Sequence, residues 1–163
     1  MNGKKICLIN GAIENRTKDD LFTFECECEV TKETPHADKF FSHVMPDKLE
    51  REYLRKVLGY LVTGSMDARN FFIWYGDGSN GKTVVMNLLK TIFKKMYHQT
   101  SKGIFMKGVR ENTEGASPDK IALIGVRCAV YSEGETSDDI DINESLLKMI
   151  SGKDAVNARA LFR

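Results

Sequence analysis

The residues from Gly76 to Thr83 have the types and spacing of a loop that binds phosphate groups. They read Gly-Asp-Gly-Ser-Asn-Gly-Lys-Thr, which matches the pattern G-x-x-x-x-G-K-[ST]. Glycines let such a loop take backbone conformations that other residues avoid, and they let an anion come close to the main chain. Successive backbone N–H groups can then point at one anion. We therefore predict nucleotide binding by the following residues: Gly76, Asp77, Gly78, Ser79, Asn80, Gly81, Lys82 and Thr83.

Two side chains at the end of this loop carry the expected chemistry. Lys82 supplies a positive charge for the β- and γ-phosphates of a nucleotide, and Thr83 supplies a hydroxyl ligand for Mg²⁺. ATP and Mg²⁺ are therefore the predicted cofactors. Hydrolysis also needs an acid at the end of a neighbouring strand, which orients the attacking water and helps to hold the metal. Glu133 follows an apolar run and is predicted to be this catalytic residue and metal ligand, with Glu135 left open as the alternative.

A buried strand and an amphipathic helix are expected to position the loop. The apolar run from Phe71 to Tyr75 has the length of a strand, and such unbroken runs are typical of strands buried on both faces of a parallel sheet. After the loop, apolar residues recur at helical spacing from Val84 to Met96. A second buried strand is predicted from Val126 to Tyr131. These elements predict an α/β fold with a parallel sheet.

The N-terminal half contains further local signals. A turn is predicted at Asn10–Gly11 after a short strand, and strict alternation over residues 22–30 predicts a half-buried strand. Asp47 and Glu50 have the spacing of a capping box, so a helix is expected to begin there. Gly64 is its expected end.

The C-terminal half has weaker patterns. A short strand is predicted near Ile104 inside a polar loop, and one or two helical turns are predicted from Pro118 up to Gly125. A short helix from Asn143 is expected to stop at Gly152.

Composition is typical of an ordinary globular protein rather than of a membrane or secreted protein. The chain has 163 residues, of which 42% are hydrophobic and 29% charged. No apolar run reaches the roughly 18 residues that a membrane span needs, and the start lacks the pattern of a signal peptide. The four cysteines are expected to be reduced thiols, because the chain lacks secretory signals. They also lack the usual spacing of zinc ligands. The predicted location is the cytoplasm or a viral replication compartment, without membrane attachment.

The loop and four other segments, taken in order, resemble the superfamily-three helicases, in particular the primase-helicases of poxvirus and phage type. The loop itself, with Ser79–Asn80 inside it, is similar to the phosphate loop of that family. The resemblance covers nearly the whole chain. The other similar segments are Asn10–Ile13, Leu58–Gly64, Leu123–Arg127 followed by Glu133, and Leu147–Asp154 followed by Ala158–Arg159.

This resemblance implies an ATP-driven replicative DNA helicase with the AAA+-like variant of the P-loop NTPase core. It also implies a homo-oligomeric, hexamer-like ring in the full-length protein, moving along single-stranded DNA. The net charge of +1 is too small to favour binding of nucleic acid by the protein as a whole, so contacts must come from local basic patches. By resemblance, Lys148, Lys153 and Arg159 are the candidates, with an ordinary solvated basic surface as the alternative.

The family pattern also predicts how the chain is divided. Residues 1–45 are expected to form a small strand-rich α/β region, and residues 46–163 the P-loop core. The third motif of the family and its arginine finger would lie beyond Arg163, so a core truncated at its C-terminus is expected. Ser132 and Lys153 stand where the family usually has an acid and a glycine.

Two other functions stay open from the sequence. One is a P-loop kinase for a small substrate, which would need an acceptor pocket and a lid with arginines. The candidate lid, residues 100–117, contains a single arginine, Arg110. The other is a nucleotide-binding module without turnover of its own, which assembles with other chains. Turnover driven by a small acceptor would indicate the kinase. Binding without turnover, even with single-stranded DNA, would indicate the module.

Overall fold

The structure is a computed structural model that describes residues 3–22, 25, 26, 28, 30, 31, 33–105, 117–132 and 142–159. It is mixed α/β, and its sheets are a two-stranded antiparallel pair and a two-stranded parallel pair. Turns of 3₁₀ helix lie at Lys18–Asp20 and Lys94–Met96. The strands and helices follow in the order β1 Lys4–Ile6, β2 Ile13–Asn15, α1 Pro35–Val44, α2 Lys48–Thr63, α3 Lys82–Phe93, β3 Tyr97–Gln99, α4 Lys102–Phe105, α5 Pro118–Ile121, β4 Cys128–Val130 and α6 Glu144–Gly152.

Backbone contacts divide the chain into two units, which are described separately. The first unit comprises Met1–Thr63 and Trp74–Lys95, and so contains β1, β2 and α1 to α3. The second comprises Gly64–Ile73 and Met96–Arg163, and contains β3, β4 and α4 to α6. The domain boundary predicted near residue 45 stays a prediction.

In the first unit, β1 and β2 form an antiparallel hairpin. Lys4 pairs with Asn15 and Ile6 with Ile13. The turn between the strands is closed by hydrogen bonds from Cys7 N to Ala12 O and from Gly11 N to Cys7 O, both 2.8 Å long. Gly11 has φ 72°, a conformation that favours glycine. The turn predicted at Asn10–Gly11 is therefore confirmed.

Helix α2 begins and ends where its capping signals predict. The Glu50 backbone N–H donates to Asp47 Oδ1 over 2.9 Å, which satisfies one of the amides that a helix start leaves without a partner. The helix ends at Thr63, and Gly64 follows with φ 64°. Arg55 of α2 donates to Asp38 of α1, which ties the two helices together.

The strand predicted over residues 22–30 is wrong for the part of that segment that the structure describes. None of residues 22, 25, 26, 28 and 30 is in a strand, and Phe22 and Val30 are exposed. Alternating polarity indicates which side chains could share a face. A strand also needs a neighbouring backbone to complete its hydrogen bonds, and the local pattern does not specify one.

The strand predicted from Phe71 to Tyr75 is also wrong, because no strand is assigned to residues 71–75. Phe71 is 55% exposed, Ile73 66% and Tyr75 90%, so the apolar run is not buried on both faces. Neither two-stranded sheet includes this segment. The coarse α/β class with a small parallel sheet stands, but the central strand of a P-loop fold is absent from the described sheets.

Helix α3 buries one narrow face. Val85, Leu89 and Phe93 are four residues apart and are only 4%, 5% and 1% exposed. Val84 and Leu88, which the helical pattern also assigned to the core, are 54% and 39% exposed. Helical residues four apart stack above one another, which explains the single buried row.

In the second unit, β3 and β4 pair in parallel, with Tyr97 opposite Cys128 and Gln99 opposite Val130. Backbone bonds of 2.8 Å from Arg127 N to Met96 O and from Thr100 N to Val130 O extend the pairing at both ends. The strand predicted from Val126 to Tyr131 is confirmed in its central part.

The second unit also contains three short helices, α4, α5 and α6. Ile104 lies in α4, so the strand predicted there is wrong at that residue. Helix α5 is followed by Gly125 with φ 75°, close to the predicted end of the helical turns. Helix α6 begins at Asn143, whose side chain accepts from Leu146 N over 3.1 Å. It runs through Gly152 and ends on Lys153, which takes φ 68°.

Within the described ranges, no helix combines the length and the apolar character that crossing a membrane requires.

The buried face of α3 predicts a large difference between two substitutions on the same helix. Phe93→Ala removes a ring that is 1% exposed and should lower the free energy of unfolding by about 3–5 kcal/mol. Val84→Ala removes a side chain that is 54% exposed and should change it by less than about 1 kcal/mol. Urea denaturation of both variants measures the difference. Equal losses would contradict the assignment of the buried face.

A second prediction concerns alkaline pH. Burial raises the pKa of the Cys128 thiol from 9.0 to about 11. The neutral thiol is thus favoured by the fold, and its contribution to stability is present below pH 9.0 and is lost as pH rises towards about 11. Stability measured by urea denaturation across this range should fall more steeply for the wild type than for Cys128→Ala. Parallel curves would contradict the burial of this thiol.

Candidate phosphate-binding site

The loop from Gly76 to Thr83 is shaped by residues with positive φ. Gly76 has φ 141°, Ser79 62° and Gly81 85°. Positive φ at Ser79 and Gly81 alternates with negative φ at Asn80 and Lys82, and such alternation turns successive N–H groups to one side. Ser79 is strained, because a residue other than glycine rarely adopts this conformation. Alternating φ signs of this kind are the pattern found in anion nests.

The ammonium group of Lys82 folds back onto this loop. Its Nζ donates to Gly76 O over 2.7 Å, to Asp77 O over 3.2 Å and to Asn80 Oδ1 over 2.8 Å. A lysine ammonium carries three donors, and each of them thus has an acceptor within the loop. The positive charge predicted to meet a nucleotide is held at the centre of the loop.

Helix α3 directs its N-terminus at the same place. Its N-cap is Gly81, which has no side chain to satisfy the amides of the first turn, and that turn contains no acidic residue. Such amides lack acceptors inside the helix, and the helix dipole adds positive potential there. Thr83 is exposed in this turn, so its hydroxyl is accessible to a metal ion bound with a nucleotide. The residues present therefore fit a Mg²⁺-bound phosphate group.

Two glycines of the loop are crowded, Gly81 by the packed end of α1 and Gly76 by the end of the flexible Asn80 side chain. A Cβ at Gly81 would lie 2.7 Å from Val44 Cγ1 and 3.4 Å from Phe40 Cζ, because the end of α1 packs against the loop. A Cβ at Gly76 would lie 2.5 Å from Asn80 Nδ2. At Gly78 no atom lies within 4 Å. The loop motif predicted that glycines stand here, but not which neighbours require them.

The predicted catalytic acid and its alternative follow β4 along the chain. Glu133 and its alternative Glu135 lie outside the described residues. The strand β4 ends at Val130, two residues before Ser132. In the part of the chain that is described, no three His, Cys, Asp or Glu side chains are grouped so as to hold a metal ion.

The candidate nucleic-acid contacts belong to the second unit, whereas the loop belongs to the first. Lys148 pairs with Glu144 over 3.2 Å along one face of α6. Lys153 donates to Asp67, and that hydrogen bond, with a further one from Ser65, holds the pKa of Asp67 below its usual value. Nearby carboxylates therefore offset both lysine charges.

Arg159 is fixed through its backbone. Its N–H donates to Ser117 Oγ over 3.0 Å, and its carbonyl accepts from Ser117 N over 2.9 Å. No local sequence signal predicts this pairing or the one between Lys153 and Asp67, because the partners are far apart along the chain.

Several proteins of large DNA viruses are similar to this chain. A protein of Acanthamoeba polyphaga mimivirus named "Putative helicase L207/L206" is 31% identical over 124 residues, which make up 76% of this chain and 13% of that protein. A protein of Frog virus 3 named "Putative helicase 022R" is 33% identical over 152 residues, or 89% of this chain and 15% of that protein. The chain is homologous to these viral proteins.

A third relative, "Putative helicase 121R" of Invertebrate iridescent virus 3, is 25% identical over 126 residues, or 76% of this chain and 13% of that protein. The chain thus spans 13–15% of the length of these three relatives. No family model and no solved structure matches the chain. All three relatives are named putative helicases, and all three come from viruses.

The different surroundings of Gly81 and Gly78 predict different effects of an alanine substitution on the free energy of unfolding. Gly81→Ala places a Cβ against Val44 at a positive φ and should lower the free energy of unfolding by about 1–3 kcal/mol. Gly78→Ala meets no atom within 4 Å and should be tolerated by the fold. Thermal denaturation of both variants compares them. A larger loss for Gly78→Ala would contradict the loop geometry.

Proposed function

We propose that this chain is the ATP-binding, Mg²⁺-dependent core of a replicative DNA helicase of the superfamily-three primase-helicase type. The observation that carries the proposal is the ammonium of Lys82, held among acceptors of the loop directly at the N-terminus of α3. The loop amides, the first-turn amides of α3 and the Lys82 ammonium follow one another along the chain, and such a set of donors suits the terminal phosphates of a nucleotide. The names of the homologous viral proteins support helicase activity over other uses of such a loop.

The proposed chemistry is in-line attack of water on the γ-phosphate. Lys82 binds the β- and γ-phosphate oxygens and offsets the negative charge that develops on them. Thr83 contributes its hydroxyl to the metal, and bound Mg²⁺ supplies further charge stabilisation between the two phosphates. Glu133, or else Glu135, orients the attacking water. The loop residues Gly76 to Gly81 position the phosphates through their backbone amides.

The partners belong to the same proposal. Lys148, Lys153 and Arg159 would contact the phosphates of single-stranded DNA, although Glu144 and Asp67 now pair with the two lysines. DNA phosphates would have to replace these carboxylates. Copies of the full-length protein would form a hexamer-like ring, in which an arginine from one subunit completes the site of the next. The compartment would be the cytoplasm or a site of viral replication.

A second candidate is nucleotide binding without turnover by this chain alone. It is favoured by the exposed segment 71–75, which is in neither sheet and so does not anchor the loop to a central strand. Catalysis needs the attacking water and the phosphates held within a fraction of an ångström, whereas binding tolerates a looser site. Phosphate release measured at saturating Mg-ATP, with and without single-stranded DNA, separates the two candidates.

Both candidate functions require nucleotide binding by the loop, and removal of the Lys82 ammonium tests this requirement. Lys82→Ala should weaken binding of a fluorescent ATP analogue by at least about 10-fold, because a hydrogen bond to a charged group contributes about 1.5–3 kcal/mol. The matched control is Lys90→Ala, which removes an exposed lysine from the same helix. Mg-ATP at a fixed concentration that saturates the wild type should also raise the melting temperature of the wild type and of the control, and should raise that of Lys82→Ala by clearly less.

Circular dichroism of the three proteins checks that each is folded. Unchanged affinity in a folded Lys82→Ala variant would refute the proposed function, as would a wild-type melting temperature that Mg-ATP does not move.

A further inference from the structure

Asn80 is the one side chain among the three acceptors of the Lys82 ammonium. The other two acceptors are the main-chain carbonyls of Gly76 and Asp77. These carbonyls are fixed by the course of the loop. The Asn80 carboxamide can move away by rotation about its side-chain bonds, without any change in the backbone.

The amide end of Asn80 is also placed by the loop. Its Nδ2 lies so close to Gly76 that a Cβ there would be only 2.5 Å away. The carboxamide therefore lies over Gly76 with its nitrogen, while its oxygen accepts from Lys82 over 2.8 Å. The Asn80 carboxamide thus bridges Gly76, the first residue of the loop, and Lys82. A side chain at position 76 would collide with the carboxamide in this position.

We propose that Asn80 is a positioning residue that holds Lys82 on the loop before a nucleotide binds, and that a phosphate oxygen replaces its carbonyl when a nucleotide arrives. This inference rests on the proposed function. The three donors of Lys82 are all engaged, so a phosphate oxygen must displace one acceptor. The side-chain acceptor is displaced most easily, since neither main-chain carbonyl can turn away without refolding the loop.

If Asn80 competes with phosphate for Lys82, removing its side chain should strengthen nucleotide binding. If Asn80 instead contacted the nucleotide, removing its side chain would weaken binding. If Asn80 stabilises only the arrangement without nucleotide, its removal favours the bound arrangement. A carboxylate at this position has the opposite effect. It pairs more strongly with the ammonium and repels the phosphates.

The test compares three substitutions by titration with Mg-ATP. Asn80→Ala should bind about two- to tenfold more tightly than the wild type, the size expected for an accessible hydrogen bond to a charged group. Asn80→Asp should bind at least about tenfold more weakly. Asn80→Gln keeps a carboxamide oxygen but moves it by one methylene, so its affinity should lie between those of the wild type and Asn80→Ala. Asn87→Ala, which changes an exposed asparagine on α3, should leave the affinity unchanged.

A second readout needs no nucleotide. Asn80→Ala should melt at a lower temperature than the wild type in the absence of ligand, because the closure of the loop is lost. Weaker binding by Asn80→Ala would overturn the proposal and would indicate that Asn80 contacts the nucleotide. An unchanged affinity would overturn it as well, whatever the melting temperature, because the proposal requires tighter binding when Asn80 is removed. Failure of the wild type to bind any nucleotide would instead refute the proposed function, and this inference with it.

Discussion

The loop from Gly76 to Thr83 depends on one interaction, the enclosure of the Lys82 ammonium by oxygen atoms of its own backbone and of Asn80. This enclosure requires positive φ at several loop residues and the absence of a side chain at Gly76. It also requires that α3 begin directly after Gly81, so that the helix amides and the lysine converge. A cluster of donors assembled in this way selects anions with several oxygens, which is why phosphate is the expected ligand.

Packing within the first unit holds the loop and the start of α3 in place. The buried row of Val85, Leu89 and Phe93 fixes α3, and the end of α1 packs under Gly81 through Val44. The lysine thus lies at the junction of a packed helix and a crowded turn. The segment before the loop exposes Phe71, Ile73 and Tyr75 and is in neither sheet. This feature favours the second candidate function, nucleotide binding without turnover, because hydrolysis demands closer positioning.

Helices and turns could be predicted from the sequence because their signals are local. Asp47 and Glu50 cap α2, and Gly64 follows its end, at positions that the residue types alone specify. Strands were predicted less well. The runs at residues 22–30 and 71–75 have strand-like patterns but no assigned strand among their described residues, since pairing depends on a distant backbone. The loop residues followed from the motif, whereas the role of Asn80 and the contact of Gly81 with Val44 depend on tertiary geometry.

The most direct measurement is a titration of the isotopically labelled chain with Mg-ATP, followed by the amide NMR signals of each residue. If the loop binds phosphate, the largest changes will be at the amides of residues 76–83, and the signals of α6 in the second unit will move much less. Largest changes elsewhere, or no saturable change at all, would contradict the account.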